Sequence, residues 1–159
     1  MKPMTKLAGT ALACALLAGI ATPASAQATP TDVAMTRAYI QKARQTVIAE
    51  AMTFTEDEGL AFWPAYRDYR LDMARVGDRL VKVITEFVAS NAKLTDEQAT
   101  RLLDEYLDLK AKEVSVRQKH VKIFRKLLPP AKVTRFFQLE HKMDAVVNYD
   151  LAQTIPLTH

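Results

Sequence analysis

The chain has 159 residues, with 22 Lys and Arg against 18 Asp and Glu, a formal net charge of +4, four glycines and one cysteine. So mild and mixed a charge makes nucleic acid a poor expected partner. A lone cysteine rules out an internal disulfide framework, and four glycines are few for a strand-rich fold or a phosphate-cradling loop.

Residues Met1 to Ala26 read as a secretory leader. Lys2 and Lys6 form a positive start without any acid, Leu7 to Ala21 is apolar apart from Thr10, and Ala24-Ser25-Ala26 offers a small-residue cleavage site. Export with cleavage after Ala26 is expected, leaving residues 27–153 as a single all-helical domain and 154–159 as a flexible C-terminal tail. Cys14 and two lysines leave with the leader, so the remainder carries +2 and no cysteine. Packing alone must then hold the domain.

The first helix is expected from Thr31-Asp32, with Val33, Ile40, Ala43, Val47 and Ala51 at helical spacing. Thr55 to Glu58 spells a capping box behind Phe54, and Thr95 to Gln98 spells another behind Leu94. From the first box runs a heptad-like seam of Phe62, Tyr66, Tyr69, Met73, Val76, Leu80, Val83 and Phe87, about 37 Å long at 1.5 Å per residue. Pro64 lies inside that helix and predicts a bend. The third helix answers with Ala99, Leu102, Tyr106, Leu109, Val116, Ile123 and Leu127, while Glu113 and His120 take two seam positions. Each of these two helices is expected to exceed about 30 residues, long for a globular domain. Asn91 to Leu94 between them is short enough to fold them into an antiparallel hairpin. Leu128-Pro129-Pro130 should end the third helix and place Pro130 at the start of a fourth, which fades before Pro156.

Charge follows the same plan. Thr95 to Asp108 holds five acids and one base, and Lys110 to Arg135 holds nine bases and one acid, Glu113. Folding about Lys93 would set Arg79 and Lys82 beside Asp104 and Asp108, and Glu56, Asp57 and Glu58 beside Arg125 and Lys126. Such charges read first as solvated faces pairing within the chain, and alternatively as a basic patch for an acidic partner or as pairing across an antiparallel dimer.

Motifs for catalysis are missing. There is no G-x-S-x-G, no H-E-x-x-H and no Glu-x-x-His pair at His120 or His141, and the only serines beyond the leader are Ser90 and Ser115. The expectation is a protein that is not an enzyme, with no catalytic residues, no cofactor and no metal. His120 and Glu113 are two turns apart, about 10 Å, too far to hold one ion together. A hydrogen-bonded seam histidine is the simpler reading of His120.

An all-helical exported chain with Leu94-Thr95-Asp96-Glu97-Gln98 at a helix start resembles the Spy/CpxP-type periplasmic proteins, which carry LTxxQ elements. Phe54-Thr55-Glu56-Asp57-Glu58 is a degenerate copy, so the motif residues are Thr55, Glu58, Leu94, Thr95 and Gln98, and the likeness spans Phe54 to Glu140. It implies a periplasmic location, a bent antiparallel helical hairpin among four helices, an antiparallel homodimer, and ATP-independent chaperoning of unfolded or membrane-associated envelope proteins in envelope stress. The alternative it implies is a regulatory subunit that binds a membrane sensor kinase or an anti-sigma factor; a metal-binding envelope protein is a third reading. Trp63, Arg67, Arg70, Lys119, Lys122 and Arg125 are the expected client-binding residues, because they are long or aromatic and lie off the seams.

Overall fold

The structure, a computed structural model, describes residues 30–158. The leader with its cleavage site, Cys14 and His159 lie outside the described residues. Those residues form four α-helices and no strand: α1 (Pro30–Met52), α2 (Glu56–Ser90), α3 (Asp96–Phe124) and α4 (Pro130–Thr154), with a 3₁₀ turn at Asn91–Lys93 between α2 and α3.

Both capping boxes form. The Thr55 hydroxyl accepts from Glu58 N at 3.3 Å while Thr55 N donates to Glu58 Oε2 at 2.9 Å; Thr95 and Gln98 exchange the same two bonds at 3.2 and 3.1 Å. Each box satisfies two backbone groups that a helix start would otherwise leave unpaired. Phe54 does not staple α2 through its first turn, where Gly59 stands, but stacks on Phe62 with ring centroids 4.5 Å apart.

α2 runs through Pro64 without interruption for 35 residues. α3 is shorter than expected, at 29 residues. It stops at Phe124 because the next turn tightens, with Lys126 N on Ile123 O and Leu127 N on Phe124 O, both at 3.0 Å. That turn buries Leu128, and the extended backbone of Pro129 then presents Pro130 to open α4.

Pairings across the bundle fix its directions. Arg101 on α3 reaches Glu86 on α2, and Lys119 reaches Asp72, so α2 and α3 are antiparallel. Lys132 meets Glu58, Phe136 meets Phe62 and Glu140 meets Arg70, so α4 runs parallel to α2. Arg135 Nε donates to Ala51 O and Arg44 pairs with Asp144, so α1 lies antiparallel to α4. The predicted fold about Lys93 is therefore right in direction, but the partners differ. Arg79 pairs with Glu105 at 3.6 Å, and Glu58 pairs with Lys132 of α4.

The core is thickest where all four helices meet. Phe62, Tyr66, Tyr69, Phe124 and Phe136 are completely buried there with Ile48 and Met52. Each full burial of so large a side chain is worth about 1.5–3 kcal/mol. Toward the tip the core narrows to Val76, Val83, Leu102, Leu109 and Val116 between α2 and α3. The α2 seam is as predicted. On α3, Phe124 belongs to the buried face, whereas Tyr106 stands 40 % exposed.

On α1 the expected face is wrong. Ile40, Ala43 and Val47 are exposed, and the inward stripe is Arg44, Ile48 and Met52. Periodicity counted Arg44 as a surface residue, yet two carboxylates of α4 receive it inside the bundle.

Candidate functional site

A chain of charged side chains crosses the bundle interior. Arg44 donates to Glu140 at 3.4 Å and to Asp144 at 2.6 Å. Arg70 donates to the same Glu140 oxygen at 3.0 Å and to Gln41 at 3.1 Å. Arg117 bridges Asp144 at 2.7 Å and Glu113 at 2.6 Å, and Lys110 completes the series on Glu113. All four helices contribute. Burial would push the Asp144 and Glu113 carboxyls up, but the arginines and Lys110 bonded to them hold both below their ordinary values. Tyr66 and Tyr69 lie beside Glu140, and their burial, with that carboxylate near, raises both phenols, Tyr66 to about 12. They stay protonated. Each carboxylate in this network carries at least one arginine or lysine, which ties the four helices together.

His120 is fully buried on the α3 seam, its Nε2 2.9 Å from Asp72 Oδ2 and its ring 5.3 Å from that of Tyr69. This is the hydrogen-bonded seam histidine that the sequence implies. Asp72 also accepts from Lys119 and Arg75, each at 2.7 Å. The His120 hydrogen bond, then that of Lys119, drives its carboxyl down to about 2. Among the described residues no group of three metal-ligating side chains comes together, and no helix among them is long and apolar enough to cross a membrane.

The surface carries the more open features. A groove of ≈ 670 Å³ runs between α1, α2 and α4, with Ile40, Leu71, Met73, Val81 and Val147 in its apolar walls and Arg67 and Arg70 among its polar ones. Leu71 is 58 % exposed there. A second depression at the start of α2 is lined by Phe54, Leu60, Trp63 and Pro64, and shares Arg67 with the first. A third, apolar one of ≈ 540 Å³ lies at the hairpin tip.

The six expected client-binding residues do not converge on one patch. Trp63 is half-buried among Phe54, Phe62 and Tyr66, with one face turned to the depression. Arg67 is exposed, and no acid among the described residues pairs with it. Arg70 is committed to Glu140 and Gln41, and Lys119 to Asp72, so both hold the fold. Lys122 and Arg125 are exposed on the last turns of α3, outside the groove that Arg67 lines. Sequence reasoning missed the aliphatic walls of the groove. Leu71 and Val81 stand apart from the seam and were not counted in any stripe, since ten residues, about 2.8 turns, leave them about 80° apart around the helix.

Comparison of the chain with protein-family models, with curated proteins and with solved structures finds no match.

Proposed function

We propose that the chain is an exported, periplasmic, ATP-independent holdase that binds unfolded segments of envelope proteins. The observation that carries this reading is the groove between α1, α2 and α4. It exposes aliphatic side chains that a monomeric helical domain has no structural reason to leave out, and it places an unpaired Arg67 at the edge. Apolar walls recognise unfolded chain without regard to sequence, and the cation favours the acidic ones by steering them in. The two formed capping boxes support the likeness to LTxxQ proteins, since each motif does there what its residues can do chemically.

Purified residues 27–159 should slow aggregation of two unrelated chemically unfolded proteins at near-equimolar ratio without ATP. Leu71→Lys with Val81→Lys should abolish that effect while leaving the circular dichroism spectrum intact, because both side chains are exposed. Arg67→Glu should weaken it for acidic clients only. No suppression by the wild type at several-fold excess would overturn the holdase reading in favour of a regulator with one dedicated partner.

A further inference from the structure

The apolar depression at the hairpin tip is already occupied in part, and by the chain itself. Val83, Phe87, Leu94, Leu102 and Leu103 line it from α2 and α3, and Ile155 reaches it from beyond the end of α4. Ile155 has extended backbone, with φ −89° and ψ 119°. Two residues on, the Leu157 carbonyl accepts a hydrogen bond from Asn91 Nδ2 at 3.3 Å. The Leu157 side chain itself points to solvent, 86 % exposed. What the tip holds is therefore one apolar side chain, Ile155, and a backbone carbonyl tied to Asn91.

The Asn91 amide has two halves. Its Nδ2 is used on the tail, while its Oδ1 is buried and accepts nothing. A side-chain amide that gives one hydrogen bond and takes another matches one residue of an extended chain, whose own C=O and N–H face the same side. The tail supplies the carbonyl. No N–H of the tail meets Oδ1.

We infer that the hairpin-tip depression is a binding site for an extended apolar polypeptide segment, gripped through its backbone by Asn91, and that the tail Ile155–Thr158 is a tethered, deliberately imperfect occupant. A segment that brings the C=O and N–H of one residue to the amide together fills both halves of it and the same apolar floor, so it displaces the tail. A short tether gives the tail an effective concentration in the millimolar range, which masks the site against weak segments and leaves it open to strong ones. The inference builds on the holdase reading by naming the kind of segment held, and its test stands apart from that reading.

The probe is a fluorescein-labelled peptide with the sequence of residues 153–158 in which alanine replaces Pro156, followed by fluorescence anisotropy with the full chain. Ile155→Asp, which expels the tail, should bind the probe about tenfold more tightly than the wild type, as removal of a tethered competitor requires. Adding Leu103→Glu or Asn91→Leu to that variant should abolish binding; Leu103 is exposed and Asn91 half-buried, and melting curves check the fold. Equal affinity of the wild type and Ile155→Asp would overturn the inference. So would a dimer in sedimentation that Ile155→Asp dissociates, since the tail would then serve a second copy. If the peptide results hold but aggregation is not suppressed, the holdase reading falls and the site stands; the reverse result removes the site alone.

Discussion

Arg44 on α1 and Glu140 on α4 meet inside the bundle, Nη1 to Oε2 at 3.4 Å, although 96 residues separate them along the chain. Glu140 is completely buried, and Arg70 lies on the same carboxylate oxygen. Removing one member of such a group leaves the others buried and uncompensated, whereas replacing both with apolar residues of similar volume removes the desolvation cost as well. Glu140→Ala should therefore destabilise by about 3 kcal/mol in urea unfolding. Arg44→Met with Glu140→Leu should recover more than half of that loss. A double variant as unstable as the sum of the single ones would show that the two residues act independently.

Thr53 closes α1 with φ 45°, the one non-glycine residue with positive φ among the described residues. A β-branched side chain is strained in this left-handed region, while glycine is not. The link must be left-handed because it turns the chain from α1 into the Thr55 box within three residues. Thr53→Gly should stabilise by about 1 kcal/mol, read as a rise in the urea midpoint at unchanged slope. The Lys132 hydrogen bond to the Thr53 carbonyl is kept in this variant.

Asp72 carries acid sensitivity. Its folded pKa of about 2 is set first by the His120 hydrogen bond and then by Lys119. That value lies below the unfolded one, about 3.9. Its contribution to stability is thus full above about pH 4 and is lost as pH falls through about 2. Wild type should exceed Asp72→Asn in stability at pH 5, and the gap should shrink steadily below pH 4, with most of it gone by about pH 2. A gap that stays constant over this range would mean that Asp72 stabilises by packing rather than by charge.

The two capping boxes should differ in weight. Thr95→Ala removes a side-chain cap at an exposed helix start and should cost about 1 kcal/mol. Thr55→Ala also loosens Glu58, whose carboxylate is shared between Thr55 N and Lys132 of α4. The second substitution should cost more, and Lys132→Met should shrink the difference between them.

What the sequence made legible was whatever depends on near neighbours. Thr55 with Glu58, and Thr95 with Gln98, are three residues apart, and their chemistry is complete within one helical turn. The α2 seam was readable because its buried positions are apolar and evenly spaced. The inward face of α1 was not, since Arg44 gains its place only from Glu140 and Asp144, on a helix that one-dimensional periodicity cannot set beside it. The partners of Arg70 and Lys119, Glu140 and Asp72, were hidden for the same reason. Phe124 was overlooked because the pattern on α3 steps from His120 by four rather than three. The groove escaped notice because its walls come from three helices.

The order of events in folding follows from the long reach between Arg44 and Glu140. α2 and α3 are joined by only five residues, 91–95, so their pairing costs little loop entropy and should come early. α1 can close its charged contacts only after α4 has returned along the hairpin. Substitutions in the hairpin seam should therefore slow refolding, whereas Arg44→Met should leave the refolding rate nearly unchanged and quicken unfolding instead. Detachment of α1 is then the first step of unfolding, and it withdraws Ile48 and Met52 from the aromatic end of the bundle.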